Sequence, residues 1–419
     1  MNLKYKKYDN YKPSGVEWLG DVPEHWEVKK LKYLGRIKSG EAIVNQNLSD
    51  NGLFEVFGGN GLMGFTNKYN IDNERIIIGR VGAYCGNIRH INEKKWISDN
   101  ALILSLNKNE NYNFCTYALK SANLNKLNTS NAQPLITGSK VMNFKISLPP
   151  KAEQNAIANF LDRKTAQIDK AIAQKEQLIE LLKERRQVLI NEAVTQGLDK
   201  SVKVKDSGVE WIGEVPKHWE VKKLRYIAKI LRGASPRPSG DPKYFGSNDV
   251  NWITVGDITK DNDVYLKSSK EFLTKRGKEL SRFLKKGTFV LTNSGATLGV
   301  PKILDIDGCI NDGVVAFINF DEDNFSKLFI YYYLQSLTNT LRDKMNQGAT
   351  QPNLNTDIVR NMFVPFTTLE NQIEIVNYIE TQSQKIKTAI LLKQQEIAAL
   401  KEYKTVLIDA AVTGKVIVD

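Results

Sequence analysis

The feature that most constrains this 419-residue chain is that it nearly repeats itself. Ser14–Lys30 reads SGVEWLGDVPEHWEVKK, and Ser207–Lys223 reads SGVEWIGEVPKHWEVKK, an offset of 193. A second stretch, Gln154–Thr195, aligns without a gap on Gln372–Thr413 at an offset of 218. Its matches include Ile157 with Ile375, Phe160 with Tyr378, and Ala193-Val194-Thr195 with Ala411-Val412-Thr413. A repeat is read before anything else, because missing it misassigns the whole fold. Each half is a fixed head, a variable middle and a fixed tail, so the chain is expected to fold with pseudo-twofold symmetry.

The tails read as helices. Leu161, Ile168, Lys175, Leu182 and Leu189 lie on one heptad seam, flanked by Ile172, Ile179 and Ala193. Ile379, Ile386, Lys393, Leu400 and Leu407 form the second seam, flanked by Ile390, Ile397 and Ala411. Neither contains Gly or Pro before its end, at Gly197 and Gly414. This is the a/d pattern of a coiled coil, and the matched lysines Lys175 and Lys393 are the kind of polar seam residue that fixes register. About 40 residues rise about 60 Å, beyond the usual globular helix. Two such seams in one chain bury most simply against each other, antiparallel if the halves are symmetric.

The middles carry β-rich runs (FEVF, RIIIGRV and ALILSL; VNWITV, GTFVLT and GVVAFINF) separated by Gly and Asn, with KLFIYYYLQSL as a short helix. The expected class is α+β: two globular domains, each with its head, joined by two long helices packed as an antiparallel coiled coil. The expected boundaries are 1–150, 151–198 (first spacer helix), 199–365, and 366–419 (second spacer helix and tail).

Charge separates the same way. Of the net +12, residues 29–150 carry +8 and 222–365 carry +6, while 151–200 and 366–419 carry +1 and −1. Two cationic modules joined by a neutral spacer suit a polyanion, and phosphate is the obvious one. No apolar run approaches the roughly 20 residues of a membrane helix. MNLKYKKYDNYK lacks the apolar core of a secretory signal. Cys85, Cys115 and Cys309 are few, odd in number and far apart. They form no disulfide or zinc pattern, so a cytoplasmic location and no membrane partner are expected.

Catalytic signals do not hold up. Gly59-x-Gly61-x-x-Gly64 matches a dinucleotide motif in form only. FTNKYNIDNE follows without a helical period, and Phe65 stands where a phosphate-loop lysine belongs. The glycines are read as an ordinary loop. The three histidines, His25, His90 and His218, form no cluster, and two sit beside the repeated Trp26 and Trp219, which argues for packing. No metal-binding cluster, nuclease site or ATPase site is evident. The chain reads as a binder that holds no cofactor.

Three features carry a resemblance over essentially the whole chain. They are the W-(L/I)-G-(D/E)-V-P-x-H-W-E heads at 18–27 and 211–220, the Pro-led openings at 149–154 and 365–372 that end in Gln, and the L-(I/V)-x-(E/A)-A-V-T helix ends at 189–195 and 407–413. Together they resemble the specificity subunit of type I restriction–modification enzymes. The resemblance implies that each middle is a target-recognition domain reading one half of a split double-stranded DNA sequence. The paired helices would act as a ruler and as the dock for two methyltransferase subunits, and restriction subunits would complete the nuclease. S-adenosylmethionine, ATP and Mg would sit on those partners. The dissimilar middles imply an asymmetric target. The alternative is a tandem coiled-coil adaptor whose middles bind proteins.

Base edges are read in the major groove by Arg, Lys, Asn, Gln and Ser, while phosphate contacts set position. The loop holding Arg80 and Tyr84 follows a strand, and the loop holding Asn293, Ser294 and Thr297 stands in the equivalent place; the two are expected to be homologous. Asn87, Arg89, Lys140 and Lys302 are further candidates, with Arg237 in the loop Gly233–Pro238. Gln133 and Gln351 form a third matched pair, each followed by Pro. The Asp99-Asn100 and Asn311-Asp312 pairs read as turn formers. The head is expected to be structural, since it is slightly acidic.

Overall fold

The computed structural model describes residues 5–82, 84–128, 134–295, 297–343 and 353–418, without the side chain of Ser247. They form two compact units. The first combines Met1–Gln177 with Lys393–Asp419, and the second is the contiguous stretch Leu178–Leu392. Four helices organise them: α1 (Tyr112–Ser121), α2 (Lys151–Gln196), α3 (Lys327–Ser336) and α4 (Leu369–Val412).

The seam residues account for the helix pairing inside each unit. In unit 1, Asp169 meets Lys404 at 2.6 Å and Glu176 meets Lys401 at 4.0 Å, so the α2 and α4 segments run antiparallel. Leu161, Ile168, Ile172 and Leu407 are buried there, each worth about 1.5–3 kcal/mol against exposure. Both seam lysines converge on one carboxylate: Lys393 Nζ donates to Glu396 Oε1 at 2.8 Å, and Lys175 Nζ donates to Glu396 Oε2. These two bonds, Lys175 first, hold the Glu396 carboxyl below its ordinary range. In unit 2, Arg186 Nε donates to Ser383 Oγ at 3.1 Å, and Ile179 and Ile379 are buried. Leu182, Leu189, Ile386 and Leu400 are only half-buried. A two-helix seam leaves its flanks open where no third element covers them.

Each helix ends on a left-handed glycine that a head residue packs against. Gly197 follows α2 with φ +70°, and a Cβ there would lie 3.2 Å from the Trp219 ring. Gly414 has φ +72°, and a Cβ would meet Pro23 at 2.3 Å. The glycines both stop the helices and let the heads approach.

The central sheet of unit 1 contains β1 (Gly35–Ser39), β2 (Arg75–Gly79), β3 (Ile88–Ile91) and β4 (Ala101–Leu106), in the order β1-β4-β2-β3, all antiparallel. Unit 2 repeats it with β5 (Lys229–Arg232), β6 (Phe289–Thr292), β7 (Pro301–Leu304) and β8 (Val314–Ile318), in the order β5-β8-β6-β7, with Tyr265–Leu266 added parallel to β7. Ile76–Ile78 and Phe289–Thr292 are buried throughout, as strands covered on both faces should be. Smaller mixed sheets accompany each, so the class is α+β.

The repeated motifs close the domains. Glu27–Lys30 of the first head pairs antiparallel with Lys145–Leu148, just before α2. Glu220–Lys223 pairs likewise with Phe363–Phe366, just before α4. The Gln of each helix opening is a buried clamp. Gln372 Oε1 accepts from Ser326 N at 2.9 Å, and its Nε2 donates to Asn324 O at 2.9 Å and Thr367 O at 2.8 Å. Gln154 does the same with Asn111 N (2.9 Å), Pro149 O (3.0 Å) and Glu110 Oε2 (3.2 Å). Asn111 and Ser326 are the N-caps of α1 and α3. One amide therefore ties the spacer helix, the strand before it and the capping residue of the domain helix.

The heads are packing elements. Trp26 is fully buried, its Nε1 donates to Glu153 Oε2 at 2.6 Å, and His25 Nε2 lies 2.8 Å from Glu153 Oε1. Trp219 joins the core formed by Ile190, Ala193, Phe329 and Ile375. Unit 1 is completed by the last residues of the chain. Lys415 Nζ donates to Leu19 O (3.1 Å) and Asp21 O (2.6 Å), and Ser147 Oγ donates to Val412 O (2.6 Å). All three cysteines are buried thiols. Among the described residues no helix is long and apolar enough to cross a membrane.

Candidate nucleic-acid interface

In each unit a loop follows the central strand β2 or β6, and both loops are held by one scaffold. In unit 1, Arg80 N donates to Asn100 O, Gly86 N to Gly79 O, Cys85 N to Gly82 O and Ile136 N to Arg80 O. In unit 2 the same four bonds run from Asn293 N to Gly313 O, Gly299 N to Thr292 O, Leu298 N to Gly295 O and Leu354 N to Asn293 O. The bridges Val81–Leu135 and Ser294–Asn353 add a fifth correspondence. Arg80 therefore matches Asn293, Val81 matches Ser294, Tyr84 matches Thr297 and Asn87 matches Val300: two homologous loops with different side chains.

Each candidate can now be placed. Tyr84 is 54% exposed at the loop tip, and Asn87 is exposed beside it. Thr297 is exposed and Ser294 half-buried in the matching loop. Arg80 is half-buried; it donates to Ser39 Oγ at 3.2 Å while its Nε is buried without a partner. Arg89 lies over the Phe57 ring and donates to Asn60 O at 3.1 Å, so it braces the neighbouring turn. Arg237 is exposed and paired with Asp312 at 3.1 Å. Lys140 stands apart, in a cleft with Lys126, Lys145 and Val16, and donates to Leu127 O at 3.2 Å. Gln133 and Gln351 lie outside the described residues.

Two expected DNA-facing residues are inside the protein. Lys302 is 1% exposed, because β7 turns it inward to Asp261 Oδ1 (2.6 Å), Asp261 O (3.2 Å) and Asp263 O. That bond to Lys302 holds the Asp261 carboxyl below its ordinary range. Asn293 is fully buried, and its Nδ2 donates to Leu354 O at 3.3 Å. Its position is the first of the loop, where the chain is still hydrogen-bonded to the scaffold on both sides. Neither side chain can reach a base or a phosphate in this conformation.

The glycine-rich stretch is a turn, as expected. Gly58 N donates to Gly61 O at 2.8 Å, and the strand Leu62–Thr66 follows in place of a helix. A Cβ at Gly79 would sit 2.6 Å from Gly59 O and 2.8 Å from Tyr84 O. The glycines let this turn lie against the loop that holds Tyr84. The Asn/Asp pairs lie in turns as well: Ala101 N donates to Ser98 O at 3.1 Å across Asp99-Asn100, and Val314 N donates to Asn311 O at 3.1 Å across Asp312.

A family model described as the type I restriction modification DNA specificity domain matches residues 23–181 and again 216–402. The chain belongs to this family. The specificity subunit of the type I restriction enzyme MjaVIII from Methanocaldococcus jannaschii is 24% identical over 448 residues, covering 99% of this chain and 97% of that protein. That of EcoprrI from Escherichia coli is 26% identical over 166 residues, 39% of this chain and 41% of that relative. The fold is that of the HsdS subunit from Thermoanaerobacter tengcongensis (TM-score 0.57, 17% identity, 94% of this chain and 98% of that one). It is also that of a chain solved in work on complex assembly and conformational transition of the type I R-M system (TM-score 0.71, 16% identity, 93% and 98%).

Sequence reasoning about this specificity-domain chain missed one matched pair on the opposite end of each sheet. Lys32-Tyr33 and Arg225-Tyr226 are 193 residues apart, and their tyrosines are 64% and 65% exposed. The repeat runs on through them, as VKKLKYL and VKKLRYI, so extending the aligned head by four residues would have found them.

Proposed function

We propose that this chain is the non-catalytic specificity subunit of a cytoplasmic type I restriction–modification complex, reading an asymmetric, two-part target in double-stranded DNA. Each unit reads one half-site through its recognition loop, and the paired helices set the gap between them. Two methyltransferase subunits, carrying S-adenosylmethionine, and restriction subunits, carrying ATP and Mg, dock on it. The observation that carries the reading is the loop scaffold: the same backbone bonds present Arg80, Val81, Tyr84 and Asn87 in one unit and Asn293, Ser294, Thr297 and Val300 in the other. Conserved geometry with altered side chains is what two readers of unlike half-sites need. Leu178, Leu181, Leu391 and Leu392, 40–53% exposed on the helices, supply apolar surface for a protein partner.

Methylome mapping in a host with and without the chain tests this. Adenine methylation at one split, asymmetric motif should appear only with the chain. An unchanged methylome, with methyltransferase present, refutes the reading. The same exposed leucines also fit a plain protein adaptor, which would bind no DNA in gel shifts at low or moderate salt.

A further inference from the structure

The two domains differ wherever they face the proposed target, so a surface that stays the same in both faces something that is itself the same in both. Such a surface exists away from the recognition loops. In unit 1, Lys29, Lys30, Lys32 and Tyr33 lead into the start of β1; in unit 2, Lys222, Lys223, Arg225 and Tyr226 lead into β5. The burial pattern is identical residue for residue: three half-buried positions, a buried Leu31 or Leu224, then an exposed cation and an exposed tyrosine. Even the internal geometry repeats. Lys32 Nζ lies 5.1 Å from the Tyr33 ring centre, and Arg225 Cζ lies 5.0 Å from that of Tyr226.

Packing does not explain it. A tyrosine about two-thirds exposed contributes little to its own domain, while Leu31, Leu34, Leu224 and Ile227 around it are buried and hold the turn. Nor does contact with bases at the recognition loops. Tyr33 precedes β1, and Ser39 at the far end of that strand touches Arg80. Six extended residues span about 20 Å, so the tyrosine stands at the opposite end of the sheet. Asn107, beyond the end of β4, donates to Tyr33 O at 3.1 Å and fixes the same placement.

We infer that Lys32-Tyr33 and Arg225-Tyr226 are twin docking points for two copies of one protein with an acidic surface and a socket for a tyrosine ring. This rests on the reading above, in which that protein is the methyltransferase subunit. Exposed tyrosine and arginine flanked by further cations are the residues most often found as binding anchors, and their charge calls for carboxylates opposite.

The test is the stoichiometry of the full chain co-expressed with its methyltransferase subunit, by native mass spectrometry. Wild type should give two methyltransferases per chain. Lys32→Glu/Tyr33→Ala and Arg225→Glu/Tyr226→Ala should each give one, and the fourfold variant none, with each lost site weakened at least about tenfold. Tyr33→Phe, which keeps the ring, should retain the complex. All substituted side chains are exposed, and unchanged melting of the free variants confirms that they fold. Two methyltransferases on every variant overturns the inference and leaves the function standing. A wild-type chain that takes none removes both. Variants that keep both partners but lose affinity and salt dependence on random DNA also overturn it, making the duplex backbone the occupant.

Discussion

Replacing Gln372 by Leu tests what the repeated Gln at each helix opening does. The side chain is fully buried and makes three bonds: from Ser326 N, to Asn324 O and to Thr367 O, the last wholly buried. Leu is similar in size, so little cavity is created. The cost lies in three backbone groups left without partners. At about 1 kcal/mol for each of the two part-buried bonds and about 1–3 kcal/mol for the buried one, the loss is roughly 3–5 kcal/mol. Gln154→Leu should cost less, about 2–4 kcal/mol, because the freed Glu110 carboxylate can turn to water. Gln372→Glu separates this clamp from a simple helix-end effect. A negative charge in the first turn favours a helix by its dipole, yet here it would face Asn324 O and Thr367 O with no hydrogen to give. Urea denaturation, read by tryptophan fluorescence, should rank wild type well above both Gln372 variants. A Gln372→Glu protein as stable as wild type would refute the clamp.

Other consequences are equally direct. Lys302→Met should lower the stability of unit 2 by about 1–3 kcal/mol, discounted from a fully buried pair because the Asp261 carboxylate is 38% exposed. The salt dependence of DNA binding should stay unchanged; a slope lower by about one would mean that the lysine contacts phosphate after all. Tyr84→Ala and Thr297→Ala should each relax recognition at one half-site, measured on targets with either half randomised; equal loss at both would exclude independent readers. Glu396 has a carboxyl held below its ordinary 4.5, so its pairing stabilises the fold fully above that pH and is lost as pH falls through the lowered value. Thermal melts should therefore show a steeper acid decline for wild type than for Glu396→Gln. Deleting one heptad from each long helix shortens the pair by about 10 Å, or about three base pairs, and the methylated motif should lose that much of its gap.

How much of this was legible in the sequence depended on whether the signal was local. The helices and their seam announce themselves by a period of seven, and the two-half plan by direct repetition. The homology of the loops after β2 and β6 was also readable, because each follows a strand and precedes an Asn/Asp turn. Which way a side chain points was not. Asn293 and Lys302 have the composition of DNA contacts, but each sits where the backbone is bonded on both sides and the side chain turns inward. Polarity alone cannot separate a residue that meets solvent from one that satisfies buried carbonyls. The Gln clamps were visible as a motif, yet their role depends on partners over 40 residues away in sequence.

Unit 1 is assembled from two stretches that flank unit 2 in the sequence, whereas unit 2 is one uninterrupted stretch. During synthesis at about 5–20 residues per second, unit 2 has all its residues before unit 1 does. Leu161 and Ile168 wait for Leu407, and the head waits for Lys415, until the second long helix has been made. The half that is made first is thus the half that closes last, and damage to the final turn of α4 falls on the opening domain.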